Sequence, residues 1–198
     1  MSPQTFILFG ASGSGKGTQA NLLIDYLKKN DSQRKVLYEE NGQRFRDFVE
    51  SHNSFTSQLT KEVMQTGELL PEFLPIWMWS EFLIKNLAED EHLILEGVSR
   101  REHEAPVLDS AMKFYKREKP HIISIEVSRN WSTERLTARG REDDSQEDIA
   151  RRLEWYDQNV VKAIEYFKND SYYNFISING EQTIEKVHSD IMEKLGWQ

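Results

Sequence analysis

The segment Gly10-Ala11-Ser12-Gly13-Ser14-Gly15-Lys16-Gly17-Thr18 brings together the residue types that hold phosphate. Three glycines ahead of Lys16 let backbone N–H groups turn toward an anion with no side chain in the way. Lys16 adds a full positive charge for terminal phosphates. The apolar run Phe6-Ile7-Leu8-Phe9 before the loop reads as a strand, and Ala20, Leu23, Ile24 and Leu27 after it fall at helical spacing. The positive end of that helix therefore coincides with the glycines and the lysine. A glycine-rich turn with no ligand is the lesser alternative. The motif departs from its usual form once, because Gly17 rather than Ser or Thr follows the lysine and Thr18 comes one residue later.

A second group of cations lies far along the chain. Six arginines, Arg129, Arg135, Arg139, Arg141, Arg151 and Arg152, fall between positions 129 and 152. Arg135 and Arg139 are four apart on an expected helix ending at Gly140, so they share a face. Arg152 lies three after Ile149 and four before Tyr156 and leans toward an apolar stripe, whereas Arg151 is turned about 100° away and faces solvent. An arginine beside a core stripe needs an anionic partner. Glu142, Asp143, Asp144 or Asp148 could serve; with a phosphate loop in hand, phosphate is the favoured partner of Arg135, Arg139, Arg141 and Arg152. Arg46 and Arg100 each follow a strand and a glycine, at Gly42 and Gly97, and in α/β sheets ligands bind beyond the carboxyl ends of strands. Glu96 ends a strand beside that crevice and could hold Mg²⁺ through water, or act as a cap or an arginine partner. His52, His92, His103, His121 and His188 show no metal-ligand spacing. No serine or cysteine nucleophile motif is present.

The elements that must carry these residues alternate. Strands are expected at residues 5–9, 35–38, 92–96, 121–127 and 173–178, separated by helical patterns. Residues 39–46 read as a turn into a helix, and residues 43–86 as helices in short pieces, broken at Ser51-His52-Asn53-Ser54, Thr66-Gly67, Pro71 and Pro75. Trp77, Met78 and Trp79 in the last piece read as core packing. The longest helix carries Ile149, Leu153, Tyr156, Val160, Ile164 and Phe167 on one stripe, with Asp144 and Glu147 spaced like a capping box at its start. The last helix carries Ile184, Val187, Ile191 and Leu195. This alternation specifies an α/β fold with a parallel sheet.

The composition limits what such a fold can do. A chain of 198 residues accommodates one sizeable core and a small mobile part. A net charge of −8 argues against nucleic-acid binding. With no cysteine there is no disulfide framework and no cysteine-ligated zinc. No apolar run approaches membrane-spanning length, and the first strand leaves no room for a signal peptide, so a cytoplasmic protein is expected.

Taken as a set, these motifs resemble the adenylate kinase family, the nucleoside monophosphate kinases. Lys16-Gly17-Thr18-Gln19 looks like that family's form of the phosphate loop. Asn41-Gly42-Gln43-Arg44-Phe45-Arg46 resembles its threonine-glycine-aspartate segment and following arginine, and Thr66-Gly67-Glu68-Leu69-Leu70-Pro71 its glycine-x-leucine-valine stretch. Leu95-Glu96-Gly97-Val98-Ser99-Arg100 is similar to its aspartate-glycine-phenylalanine-proline-arginine motif. Arg135, Arg139, Arg141 and Arg152 match the lid and catalytic arginines, and Asp143 and Asp144 the aspartates after the lid. The match runs through nearly the whole chain, in order.

The resemblance implies a three-layer P-loop domain over residues 1–198 with a five-stranded parallel sheet of order 2-3-1-4-5. Its core would be residues 1–38 and 87–198, its helical acceptor-binding insertion residues 39–86, and its very short lid lies near 136–144. It implies transfer of the γ-phosphoryl of ATP to a nucleoside monophosphate, AMP first, by a monomer that uses Mg²⁺ and no zinc. ATP would be held by Gly13, Ser14, Gly15, Lys16, Gly17, Thr18, Arg135, Arg139 and Gln182. The acceptor would be held by Asn41, Gly42, Arg46, Leu69, Leu70, Gly97, Arg100, Glu104, Arg141 and Arg152. Lys16, Arg135, Arg141 and Arg152 would be catalytic, with Thr18 and Glu96 placing Mg²⁺. The departures point elsewhere. Glu96 replaces the family's aspartate, Val98-Ser99 its phenylalanine-proline, and Glu104 stands where a glutamine reads adenine. An ionised carboxylate only accepts hydrogen bonds, which suits guanine or a cytosine amino group better than adenine. A kinase for GMP, CMP or UMP, or a nucleotide-binding regulatory protein without turnover, are the alternatives.

Overall fold

The computed structural model describes residues 1–141 and 144–197. The chain begins with β1 (Thr5–Phe9) and α1 (Lys16–Asn30), then β2 (Val36–Glu40). Three helices follow, α2 (Asn41–Ser51), α3 (Phe55–Gln65) and α4 (Phe73–Asn86), before β3 (His92–Glu96). The second half runs α5 (Glu104–Phe114), β4 (His121–Glu126), α6 (Arg129–Arg139) and α7 (Gln146–Trp155). A π-helical turn (Tyr156–Val160), α8 (Val161–Lys168), β5 (Asn174–Asn179) and α9 (Ile184–Leu195) complete it. The strands form one parallel sheet of order β2-β3-β1-β4-β5. The chain leaves β1 for β2 on one side of the sheet and β3 for β4 on the other, and this reversal opens a crevice beyond the carboxyl ends of β1 and its neighbours.

Side-chain alternation explains why the middle residues of β1 and β3 are apolar on both faces. Ile7 and Phe9 of β1 and Leu93 and Leu95 of β3 enter a cluster with Trp79, Leu83, Leu108 and Phe167. Phe6, Leu8 and Ile94 point the other way, into a cluster with Leu23, Leu27, Val187 and Ile191. Both faces are thus covered by helices, as an all-parallel sheet requires. Each of these fully buried side chains contributes about 1.5–3 kcal/mol relative to exposure. No helix among the described residues is long and apolar enough to cross a membrane.

Several element boundaries differ from the sequence expectation. β2 runs on through Glu39 and Glu40, and α2 starts at Asn41 with no intervening turn. Glu39 is fully buried, a position its charge alone would exclude, because Arg44 pairs with it at 3.2 Å. β4 ends one residue early, at Glu126, and β5 is shifted one residue, to 174–179. Pro75 does not break the chain. It is the third residue of α4, where a backbone N–H has no intrahelical partner to lose. Met78 and Trp79 are core residues, but Trp77 is 43% exposed. The long helix is interrupted by the π-helical turn, and its cap is Ser145, whose hydroxyl accepts from the Asp148 N–H, not Asp144. Asp144 is engaged by arginines. The helix carrying Arg135 and Arg139 ends as expected, at Gly140 in the left-handed conformation.

Candidate active site

The crevice at the carboxyl ends of β1, β2 and β3 is a cavity of about 680 Å³. Its floor is the glycine loop. Gly10 has to be glycine: a Cβ there would lie 2.6 Å from Ser14 Oγ and 2.7 Å from the Ile125 carbonyl. Gly15 precedes α1 at a φ of 93° with no side-chain cap, so the first N–H groups of α1 remain available to an anion. Lys16 Nζ donates to the carbonyls of Gly10 (2.7 Å) and Ala11 (2.9 Å), holding the ammonium across the loop. Burial lowers its pKa to about 8, Glu96 opposes this, and the charges of Arg100 and Arg139 reinforce it.

Glu96 stands over the first turn of α1, with its Oε2 3.4 Å from where a Gly17 Cβ would be. That oxygen accepts the Tyr38 hydroxyl at 2.6 Å. Burial, followed by the charge of Glu96, pushes the Tyr38 pKa up, which keeps the phenol a donor. Thr18 is exposed on the same helix turn and lines the cavity. A hydroxyl and a carboxylate beside a phosphate loop form a hard oxygen donor set, which fits Mg²⁺ bound largely by water and phosphate. No group of three or more His, Cys, Asp or Glu that could hold a metal by itself occurs among the described residues.

Arg46 and Arg100 converge over Gly42, whose Cβ would lie 3.6 Å from Arg46 Nη1 and 3.9 Å from Arg100 Nη2. Arg46 is held by Glu40 (3.1 Å) and Gln43 (2.7 Å), and Arg100 Nε donates to the Gly97 carbonyl at 3.0 Å. Burial lowers the Arg100 pKa, as do the charges of Arg46 and Arg152, while Glu104 and Glu96 oppose them. On the other wall, Arg139 makes a bidentate pair with Asp144, both contacts 2.8 Å. Arg152 donates to the same carboxylate, as does the Arg141 backbone N–H at 3.2 Å. Burial would raise the Asp144 pKa, but the hydrogen bonds from Arg139 and Arg152 outweigh it and hold the carboxyl well below the usual range. Arg135 lies 4.4 Å from the Trp131 ring centroid. Arg151 is beside Asp148 at 3.9 Å, and Arg129 pairs with Glu154 and Asp157, away from the cavity wall.

Lys16, Gly13, Gly15, Gly17, Thr18, Asn41, Gly42, Arg46, Leu69, Leu70, Glu96, Gly97, Arg100, Glu104, Arg135, Arg139, Arg141 and Arg152 all line this one cavity. Ser14 and Gln182 do not. Ser14 is buried beneath the loop, and Gln182 Nε2 donates to the Asn179 carbonyl (2.8 Å) and to Asp190 (2.9 Å). Glu142 and Asp143 lie outside the described residues. Glu104 is buried, with Oε2 accepting the Arg100 backbone N–H at 2.9 Å. Burial pushes its pKa up to about 7, against the Arg100 N–H and the charges of Arg100 and Arg101. Tyr38, Arg101 and Trp155 were not singled out by their spacing. Arg101 directly follows Arg100, and that doublet was the available signal.

A model of the adenylate kinase family matches residues 8–172. The chain is 28% identical to the adenylate kinase of Prochlorococcus marinus (strain AS9601) over 189 residues, covering 96% of this chain and 97% of that one. It is 26% identical to the adenylate kinase of Oenococcus oeni (strain ATCC BAA-331 / PSU-1), covering 91% and 93%. With the adenylate kinase of Francisella tularensis subsp. novicida (strain U112) it shares 27% identity, covering 96% and 97%. A phosphate loop under a parallel sheet of this strand order, faced by arginines from both sides, agrees with these matches: the chain is a phosphotransferase and belongs to the adenylate kinase family.

Proposed function

We propose that the chain transfers the γ-phosphoryl group of ATP to a nucleoside monophosphate, with AMP the first choice. The observation that supports this most is the convergence of Lys16, Arg46, Arg100, Arg139 and Arg152 on one cavity at the positive end of α1. A single bound phosphate group has no use for that much charge. Two phosphate-bearing substrates and a transferring group do.

In this reading the loop N–H groups and Lys16 hold the donor phosphates, and Arg46 and Arg100 hold the acceptor phosphate. Arg135, Arg139, Arg141 and Arg152 neutralise charge on the group in transit. Catalysis is then positioning plus electrostatic stabilisation, with little covalent work for the protein. An acceptor phosphate oxygen is already ionised at neutral pH and needs no general base. Thr18 and, through water, Glu96 would hold Mg²⁺, which supplies further charge neutralisation on the donor phosphates. The helices of residues 39–86 form the acceptor arm, and the short turn around Gly140 acts as the lid. Closure of both would exclude water as a competing acceptor.

Glu104 favours a second reading of the acceptor. In its ionised form, which a pKa of about 7 leaves partly populated at neutral pH, it accepts from the two adjacent donors of guanine. A coupled assay with ATP against AMP, GMP, CMP and UMP tests both readings. Turnover of AMP supports the first, preference for GMP the second, and turnover of none would overturn the proposal.

A further inference from the structure

Arg101, in the loop between β3 and α5, joins three separate parts of the chain. Its Nη2 donates to the carbonyls of Leu70 (3.2 Å) and Leu69 (3.4 Å), and its Nη1 is 3.8 Å from the Glu72 carboxylate. Its guanidinium lies 5.3 Å from the ring centroid of Trp155, on α7. Residues 68–71 belong to no helix or strand, so their carbonyls have no ladder to satisfy them. Arg101 supplies two of the missing donors. Its Nε is buried without a hydrogen-bond partner, so the other contacts must outweigh the cost of that unpaired N–H. A lysine ammonium could not make the same forked and stacked contacts.

The same turn rests on α7 a second time. A Cβ on Gly67 would lie 3.2 Å from Asp148 Oδ1 and 3.6 Å from Arg151 Nη1. α7 also carries Arg152, whose side chain lines the cavity, three residues before Trp155. Leu69 and Leu70 line the same cavity.

We propose that Arg101 is a positioning residue that clasps segment 68–72 of the acceptor-side helices to α7. The wall formed by Leu69 and Leu70 is then in place when Arg152 is. The inference rests on the kinase reading for its kinetic consequence, but the clasp itself does not depend on turnover. It ties down the acceptor side and leaves the phosphate loop untouched.

The test compares the wild type with Arg101→Ala, Arg101→Lys, Trp155→Leu and the Arg101→Ala/Trp155→Leu double variant. Each is checked by thermal melting, then by kinetics with ATP and the best monophosphate acceptor, and by hydrogen exchange of residues 66–72. Arg101→Ala should raise the acceptor KM about tenfold and leave the ATP KM within about twofold. Arg101→Lys should fall between alanine and the wild type. The double variant should match Arg101→Ala within about twofold, because both changes open one junction. Residues 66–72 should exchange faster in Arg101→Ala. An unchanged acceptor KM, an equal rise in both KM values, or additive effects in the double variant would overturn the clasp. If the wild type turns over no monophosphate, the kinase reading fails by itself, and exchange at 66–72 still decides: faster exchange in Arg101→Ala supports the clasp and unchanged exchange overturns it.

Discussion

Replacing Glu104 with glutamine separates what its burial costs from what its charge reads. The carboxyl is 1% exposed and its pKa rises from an ordinary 4.5 to about 7, chiefly because burial disfavours the charged form. A raised pKa means that the folded state keeps its proton after the unfolded chain has lost it. The associated stability is fully present below 4.5 and is lost as the pH rises through 7. At 1.36 kcal/mol per pKa unit the loss totals about 3 kcal/mol, of which about 2.5 falls between pH 5 and pH 8. Glutamine has nearly the same shape, and its carbonyl oxygen can still accept the Arg100 N–H, but it does not titrate. Glu104→Gln should therefore gain about 2.5 kcal/mol on the wild type between pH 5 and pH 8, read by urea unfolding at both values. Other titrating groups are common to both proteins and cancel in the difference. The same variant should raise AMP turnover relative to GMP, since the amide offers both a donor and an acceptor. If the stability gap is the same at both pH values, Glu104 is not held protonated by burial. If the AMP to GMP ratio is also unmoved, Glu104 does not face the base.

The remaining predictions concern the charges and the loop. Lys16→Met should cut turnover by about a hundredfold or more, the scale of losing a transition-state charge contact, and near-normal turnover would remove Lys16 from the phosphate site. Asp144→Asn leaves one acceptor oxygen where Arg139, Arg152 and the Arg141 N–H now share two. Steady-state kinetics should show kcat reduced about tenfold, the scale of one charge-assisted hydrogen bond, and an unaltered kcat would mean that the arginines hold their places without it. Gly10→Ala drives a Cβ to 2.7 Å from a backbone carbonyl that cannot rotate away, so thermal or urea unfolding should show a loss of about 1–3 kcal/mol. Purified protein should contain no stoichiometric zinc by elemental analysis, and bound zinc would contradict a short turn as the lid.

What could be read from the sequence was what depends on neighbours along one element. Apolar runs located all five strands, and the glycine loop marked the floor of the cavity. Arg135 and Arg139 were readable as a pair because helical spacing puts them on one face. The failures lie where a charge depends on a partner from elsewhere. Glu39 and Glu40 read as turn residues because nothing local justifies two carboxylates in a strand, one of them fully buried, and Arg44 and Arg46 from the next helix are what permit them. Asp144 reads both as a cap, by its spacing to Glu147, and as an arginine partner less favoured than phosphate; Ser145 takes the cap, and Asp144 binds two arginines. Beyond its doublet with Arg100, Arg101 carried no pattern, since its partners stand at positions 69, 70, 72 and 155.

These cross-chain pairs follow one rule. A cavity that collects guanidinium groups is electrostatically costly to assemble, and a chain of net charge −8 has carboxylates to spare for it. Glu40 holds Arg46, and Asp144 holds Arg139 and Arg152. Each carboxylate fixes a cation in place but occupies donors that a phosphate would use. Substrate phosphates must therefore compete with these acids. That competition favours ligands bearing several negative charges, such as nucleotide phosphates, over singly charged anions, which gain too little to displace a bidentate carboxylate.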